Sequence, residues 1–98
     1  MPDIRYVVFH SPGPKWRAGL PIFEQDGVQQ HIDHFRKWFV DGKLAMGGPF
    51  LDESAGGMMI PAAGLTETEI VAFANADPTV AAGLLEVEVR QWLVGMKQ

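Results

Sequence analysis

Ninety-eight residues, 47% of them apolar, with a mean hydropathy of +0.02, describe one small globular domain spanning residues 1–98 rather than a disordered tail. A formal net charge of −4 with no basic patch sets aside nucleic acid and anionic membrane surfaces as partners. Zero cysteines set aside disulfides, Cys-ligated zinc, iron–sulfur clusters and thiolate catalysis, and agree with a cytoplasmic protein.

Ile4 to His10 predicts a strand, being rich in β-branched and aromatic residues and closed by Ser11-Pro12-Gly13-Pro14. The opening MPDIRYVVFH lacks a basic flank followed by a long apolar run, so neither a signal peptide nor a membrane span is expected there. Val7, Val8 and Phe9 are consecutive apolar residues, which buries both faces of the strand. Ser11 to Asp26 reads as a long Pro/Gly-rich loop carrying Trp16 and Arg17, a kind of segment that is either functional or disordered. From about Glu24 to Asp41 the period turns helical, with Val28, Ile32, Phe35 and Phe39 in one apolar stripe and Gly42 as the residue that ends the helix. Leu44–Phe50 and Gly57–Ala62 predict two short strands joined by the turn residues 52–56. Thr66 with Glu69 forms a capping box for a second helix running to about Ala76, where Asp77-Pro78 stops it. Leu85 to Val94 predicts a last strand, with Leu85, Val87 and Val89 alternating against Glu86, Glu88 and Arg90.

The order β-α-β-β-α-β is that of an α+β, ferredoxin-like fold. Right-handed crossovers place both helices on one face of a four-stranded antiparallel sheet. The other face needs a cover, and the two-sided apolar strand Ile4–His10 makes a second copy of the chain the simplest one. The expected assembly is therefore a homodimer.

Three histidines are the candidate proton handlers. At about 100° per residue, His31 stands roughly 70° from the centre of the apolar stripe and His34 roughly 130°. His31 thus falls at the edge of the buried face, with Trp38 on its flank, while His34 points toward water. Read from geometry alone, His31 is either a border histidine bonded to backbone or a tuned acid–base group. His10 closes the first strand beside the Pro/Gly loop, either at a pocket mouth or without a role. The His31/His34 spacing permits two ligands on one helix, with a third from His10, Asp33 or Asp77, but no HExxH or Cys/His cluster accompanies it, and no metal or other cofactor is expected. Asp77 before proline is a turn former whose side chain can cap Thr79 or Val80. Gly47-Gly48-Pro49 is a bulge or kink, or a close backbone approach to a ligand. It is not a phosphate loop. Ser11 has no Ser-His-Asp setting, and Glu86 and Glu88 read as a polar or interface face.

Taken together, His31, Gly42, Gly48-Pro49-Phe50, Gly56-Gly57, Ala76-Asp77-Pro78 and Val80-Ala81-Ala82-Gly83 with a long strand ending near Trp92 form a pattern over nearly the whole chain. It resembles the YCII-related (YciI-like, DGPF-related) domain. That resemblance implies a ferredoxin-like chain dimerising in the manner of α/β barrels. It matches the family's helix histidine to His31 and its aspartate before proline to Asp77 as an active-site pair. It also implies kinship to a dehydrochlorinase of aromatic degradation, to muconolactone isomerases and to cofactor-free monooxygenases. Two departures stand out: the Ser11–Asp26 connection is longer than usual, and Thr79 follows Asp77-Pro78 where an aromatic is common. On this footing Asp77 would accept a hydrogen bond from one His31 nitrogen and leave the other as general base. Gly48, Pro49, Trp38, Phe50, Trp16 and His10 would line an apolar pocket for a small cyclic or aromatic compound. The expected chemistry is isomerisation or a lyase-type elimination. The alternative is a non-catalytic, small-ligand-binding dimeric module.

Overall fold

β1 (Asp3–Pro12) is the central element of the structure, a computed structural model that describes residues 2–52 and 54–98. It pairs antiparallel with β4 (Leu85–Val94) from Asp3↔Val94 to Pro12↔Leu85, and with β3 (Gly57–Pro61) at Val8↔Met59, Phe9↔Met58 and His10↔Gly57. β2 (Leu44–Pro49) adds to the outer edge of β3, with a bulge between Leu44 and Met46. The strand order is β2-β3-β1-β4, all antiparallel, in one open four-stranded sheet.

Side-chain alternation divides β1 into two faces. Val8 and His10 turn toward the helices and are buried, while Val7 and Phe9 turn the other way and are half-buried. Opposite them on that open face stand Met58, Glu88 and Arg90.

Three helices cover the inner face: α1 (Val28–Val40), α2 (Glu67–Asn75) and the single turn α3 (Pro78–Ala81). Thr66 caps α2 by accepting from the Glu69 amide, as the capping box requires. Gly42, at φ +77°, takes the left-handed position that ends α1. The core is Val8, Phe35, Trp38, Ile70 and Ala74.

The buried face of α1 differs from the apolar stripe. Its buried residues are Val28, His31, His34, Phe35 and Trp38, whereas Phe39 is 62% exposed. The face is rotated by roughly 70° toward the histidines. The reason is polar pairing: His31 and His34 each find a partner on the α2–α3 segment, so they bury where unpaired imidazoles would not. His34 is therefore a buried residue and not the solvated one its helical position implied.

The segment 13–25 is ordered. Gln25, itself buried, accepts from the Arg17 amide at 2.9 Å and donates to the Arg17 and Leu20 carbonyls at 2.8 and 2.7 Å. The Gly13 and Lys15 amides bond to the Leu84 and Gly83 carbonyls, and a 3-10 turn at Ile22–Glu24 leads into α1.

Candidate functional site

The α2–α3 junction fixes the first component. Asp77 is the N-cap of α3, with Pro78 at the first helical position. Its Oδ1 accepts from the Thr79 amide at 2.9 Å and from Thr79 Oγ1 at 2.7 Å. Both Thr79 donors thus hold one carboxylate oxygen, and the other is aimed at α1. There Asp77 Oδ2 accepts from His31 Nδ1 at 2.5 Å, across 46 residues of sequence. Asp77 is fully buried and His31 nearly so, at 7% exposure. Burial by itself pushes the Asp77 carboxyl up, but the hydrogen bonds from His31 and from the Thr79 side chain and backbone outweigh it and hold the group below the usual carboxylate range. An ionised Asp77 therefore accepts a hydrogen bond from His31 Nδ1–H, which keeps the proton on Nδ1 and leaves Nε2 as the free imidazole nitrogen.

His10 supplies the second component. It projects from β1 between Gly57 and Val87, and its ring meets His31 edge-on with centroids 4.6 Å apart, and Phe35 at 5.3 Å. Gly56, at φ +78°, lies so close to the backbone of β1 at this point that a Cβ there would overlap the His10 carbonyl. His10 is 4% exposed, and its Nε2 is buried with no hydrogen-bond partner among the described residues. Burial, reinforced by His31, lowers its pKa to about 4, so it stays a neutral imidazole in ordinary buffers.

His34 plays another part. Its Nε2–H donates to the Phe73 carbonyl at 2.7 Å, and its ring stacks on Phe73 at 4.0 Å. Trp38 stacks on the same Phe73 at 3.9 Å. These residues are the packing that clamps α1 to α2.

His10, His31 and Asp77 together turn three donor atoms toward one another, all within 4.8 Å. Two donors sharing a zinc-like ion at bond lengths of about 2.0–2.1 Å would stand about 3.3 Å apart. The 2.5 Å between His31 and Asp77 is shorter than that and is the spacing of a direct hydrogen bond.

His10 and His31 form the floor of a cavity of about 500 Å³ between α1 and the β2–β3 hairpin. Its walls are mainly apolar: Phe35, Val28, Leu85, Met59 and, toward the mouth, Phe23, Phe39 and Met46. Gly48 and Pro49 line it, as do Gly56 and Gly57. Trp38, Trp16 and Phe50 stand elsewhere. Trp38 belongs to the core, Trp16 lies in the segment ordered by Gln25, and Phe50 lines a shallower depression beside Phe9 and Ser11. Exposed Arg36 and Met46 carry no local sequence signature, while Phe39, which the apolar stripe placed in the core, instead lines the cavity.

The class that fold and site define is a small α+β protein, an open antiparallel sheet with helices on its inner face, holding an imidazole–carboxylate pair beneath an apolar cavity. The chain is 33% identical over 70 residues, 71% of its length and 80% of the relative's, to the uncharacterized protein YjpA of Bacillus subtilis (strain 168), and it belongs to that protein's family. No family model and no solved structure matches it. Among the described residues, no helix is long and apolar enough to cross a membrane.

Proposed function

We propose that this protein is a cofactor-free enzyme of the YCII-related kind, with a ferredoxin-like chain, in which the His31–Asp77 pair transfers a proton to and from carbon. The observation that carries this reading is the ionised, buried Asp77 bonded to His31 Nδ1 beneath a cavity that His31 also lines. Asp77 fixes the tautomer and stabilises the imidazolium that forms. His31 Nε2 takes a proton from a carbon made acidic by a neighbouring carbonyl, and the C–H electron pair moves into the enolate. The proton then returns at a second carbon, which is isomerisation. In the alternative outcome the electron pair expels a leaving group and the acid HX is lost, which is elimination. The apolar walls fit a small cyclic or aromatic compound.

The open sheet face supports a homodimer. It exposes Trp92 beside half-buried Val7, Phe9 and Met58, an apolar surface that a second copy would cover. Light scattering on the eluting protein is expected to give a mass near twice 10.8 kDa, and a mass near 10.8 kDa rejects the dimer.

The chemistry is tested by solvent exchange. Small cyclic carbonyl compounds are incubated with the protein in D2O, and deuterium uptake at carbon is followed by NMR. Uptake is expected to vanish in His31→Ala and to slow on the order of 10²–10⁴-fold in Asp77→Asn. Undiminished uptake in His31→Ala rejects the reading. Compounds that bind without exchange favour instead a small-ligand-binding module with a structural His–Asp bond.

A further inference from the structure

The cavity is uneven in charge, and that unevenness carries information about its ligand. Among the described residues, no Asp, Glu or Lys lines it, and Arg36 is its one fixed cation. Arg36 stands on α1 five residues after His31, roughly 7.5 Å further along the helix axis, and its side chain is 62% exposed. Its ion pair is a loose one, with Asp33 Oδ1 at 3.7 Å, beyond hydrogen-bond distance, and that same oxygen already accepts from Gln29 Nε2 at 2.9 Å. The guanidinium therefore keeps its planar, two-pronged donor set for another carboxylate. At the opposite end, the ionised Asp77 sits directly behind His31. A negative charge on a ligand is disfavoured near this buried carboxylate and favoured at Arg36. Between the two ends lie apolar walls formed by Phe35, Phe39, Met46 and Met59.

We propose that the cavity selects an amphipathic monoanion, a small apolar, ring-bearing body with one carboxylate, held with its charge on Arg36 at the mouth and its uncharged end on His31 and His10 at the floor. This rests on reading the cavity as a small-molecule site, but it needs no turnover. It adds a specificity-determining residue, Arg36, to the site. It also fixes the direction in which the ligand lies: the carbon presented to His31 is the one remote from the carboxylate.

Binding to the full chain is measured by amide NMR titration with 3-phenylpropionate, 3-phenylpropanol, 3-phenylpropylamine and 3-(4-carboxyphenyl)propionate. The monocarboxylate is expected to bind at least tenfold tighter than the alcohol and the amine. A second carboxylate at the far end of the ring is expected to weaken binding at least tenfold, because it would meet Asp77. In Arg36→Gln the monocarboxylate should fall to the level of the alcohol, with the alcohol itself unchanged. Asp33→Asn should tighten the monocarboxylate severalfold by freeing the guanidinium. A monocarboxylate that binds no tighter than the alcohol, including binding by neither, overturns the proposal. A preference that survives Arg36→Gln overturns the role of Arg36, and a dicarboxylate that binds equally well overturns the orientation. Carboxylate selectivity without His31-dependent exchange would reject the proton-transfer chemistry and leave this inference standing.

Discussion

The floor and the mouth of the cavity are built on opposite terms. At the floor, each polar group of the pair is held from several directions: Asp77 by both donors of Thr79 and by His31, and His31 by Asp77 with the rings of His10 and Phe35 against its edges. At the mouth, Phe23, Phe39 and Met46 are each more than 60% exposed, and Arg36 is loosely paired. The geometry of the floor exists before any ligand arrives, as the proposed proton transfer would require. The mouth has apolar surface still to bury, and it gains contacts when something enters. Buried, hydrogen-bonded groups and exposed, loosely held ones thus fall to different residues, so floor and mouth can be perturbed separately.

The largest effect should come from Phe35, which touches the rings of His10, His31, His34 and Phe73 at once. Phe35→Ala is expected to cost about 3–5 kcal/mol in urea unfolding. A loss under about 1 kcal/mol would mean the floor is not built on this ring.

Acid tests the floor next. His10 has a pKa of about 4 when folded against 6.5 as its ordinary value. Between those values the unfolded chain binds more protons, so the His10 contribution is complete above pH 6.5 and is lost as pH falls toward 4. The loss should reach about 3 kcal/mol, and His10→Gln should remove that slope from urea midpoints measured between pH 7 and 4. Asp77 acts in a lower window. Its depressed pKa stabilises the fold above the usual carboxylate value, and that stability goes as pH drops through the folded pKa.

A smaller change is expected for Thr79→Val. It removes the hydroxyl donor to Asp77 Oδ1 and keeps the amide donor, at about 1 kcal/mol. At the mouth, Phe39→Ala and Met46→Ala should move stability by less than about 0.5 kcal/mol while weakening any cavity ligand. If they destabilise as much as Phe35→Ala, the division between floor and mouth does not hold.

Much of this architecture was legible in the sequence wherever a local rule has a local cause. The Thr66 capping box, the Gly42 helix end and the alternation of Leu85–Val94 each rest on a few neighbouring residues, and each stands where it was read. The face of α1 was not legible, because it depends on partners 39 and 46 residues away that allow two histidines to be buried. Gln25 was hidden for the same reason: a glutamine shows no sign that three backbone groups await it. Asp77 was legible as a cap, and its second oxygen was the part that only tertiary structure could aim.

The place of β1 in the sheet also sets the order in which the molecule can be made. β1 is an interior strand, and β3 and β4, its two neighbours, both come later in the chain. Until residue 85 and beyond have emerged, β1 has one long unpaired edge, and His10 has no Val87 beside it. Such non-local pairing folds slowly, because the loop between the partners must close before any contact compensates for it. The His10–His31–Asp77 cluster therefore draws on segments far apart in the sequence, and a chain cut short of β4 carries its histidines without the cavity floor they build.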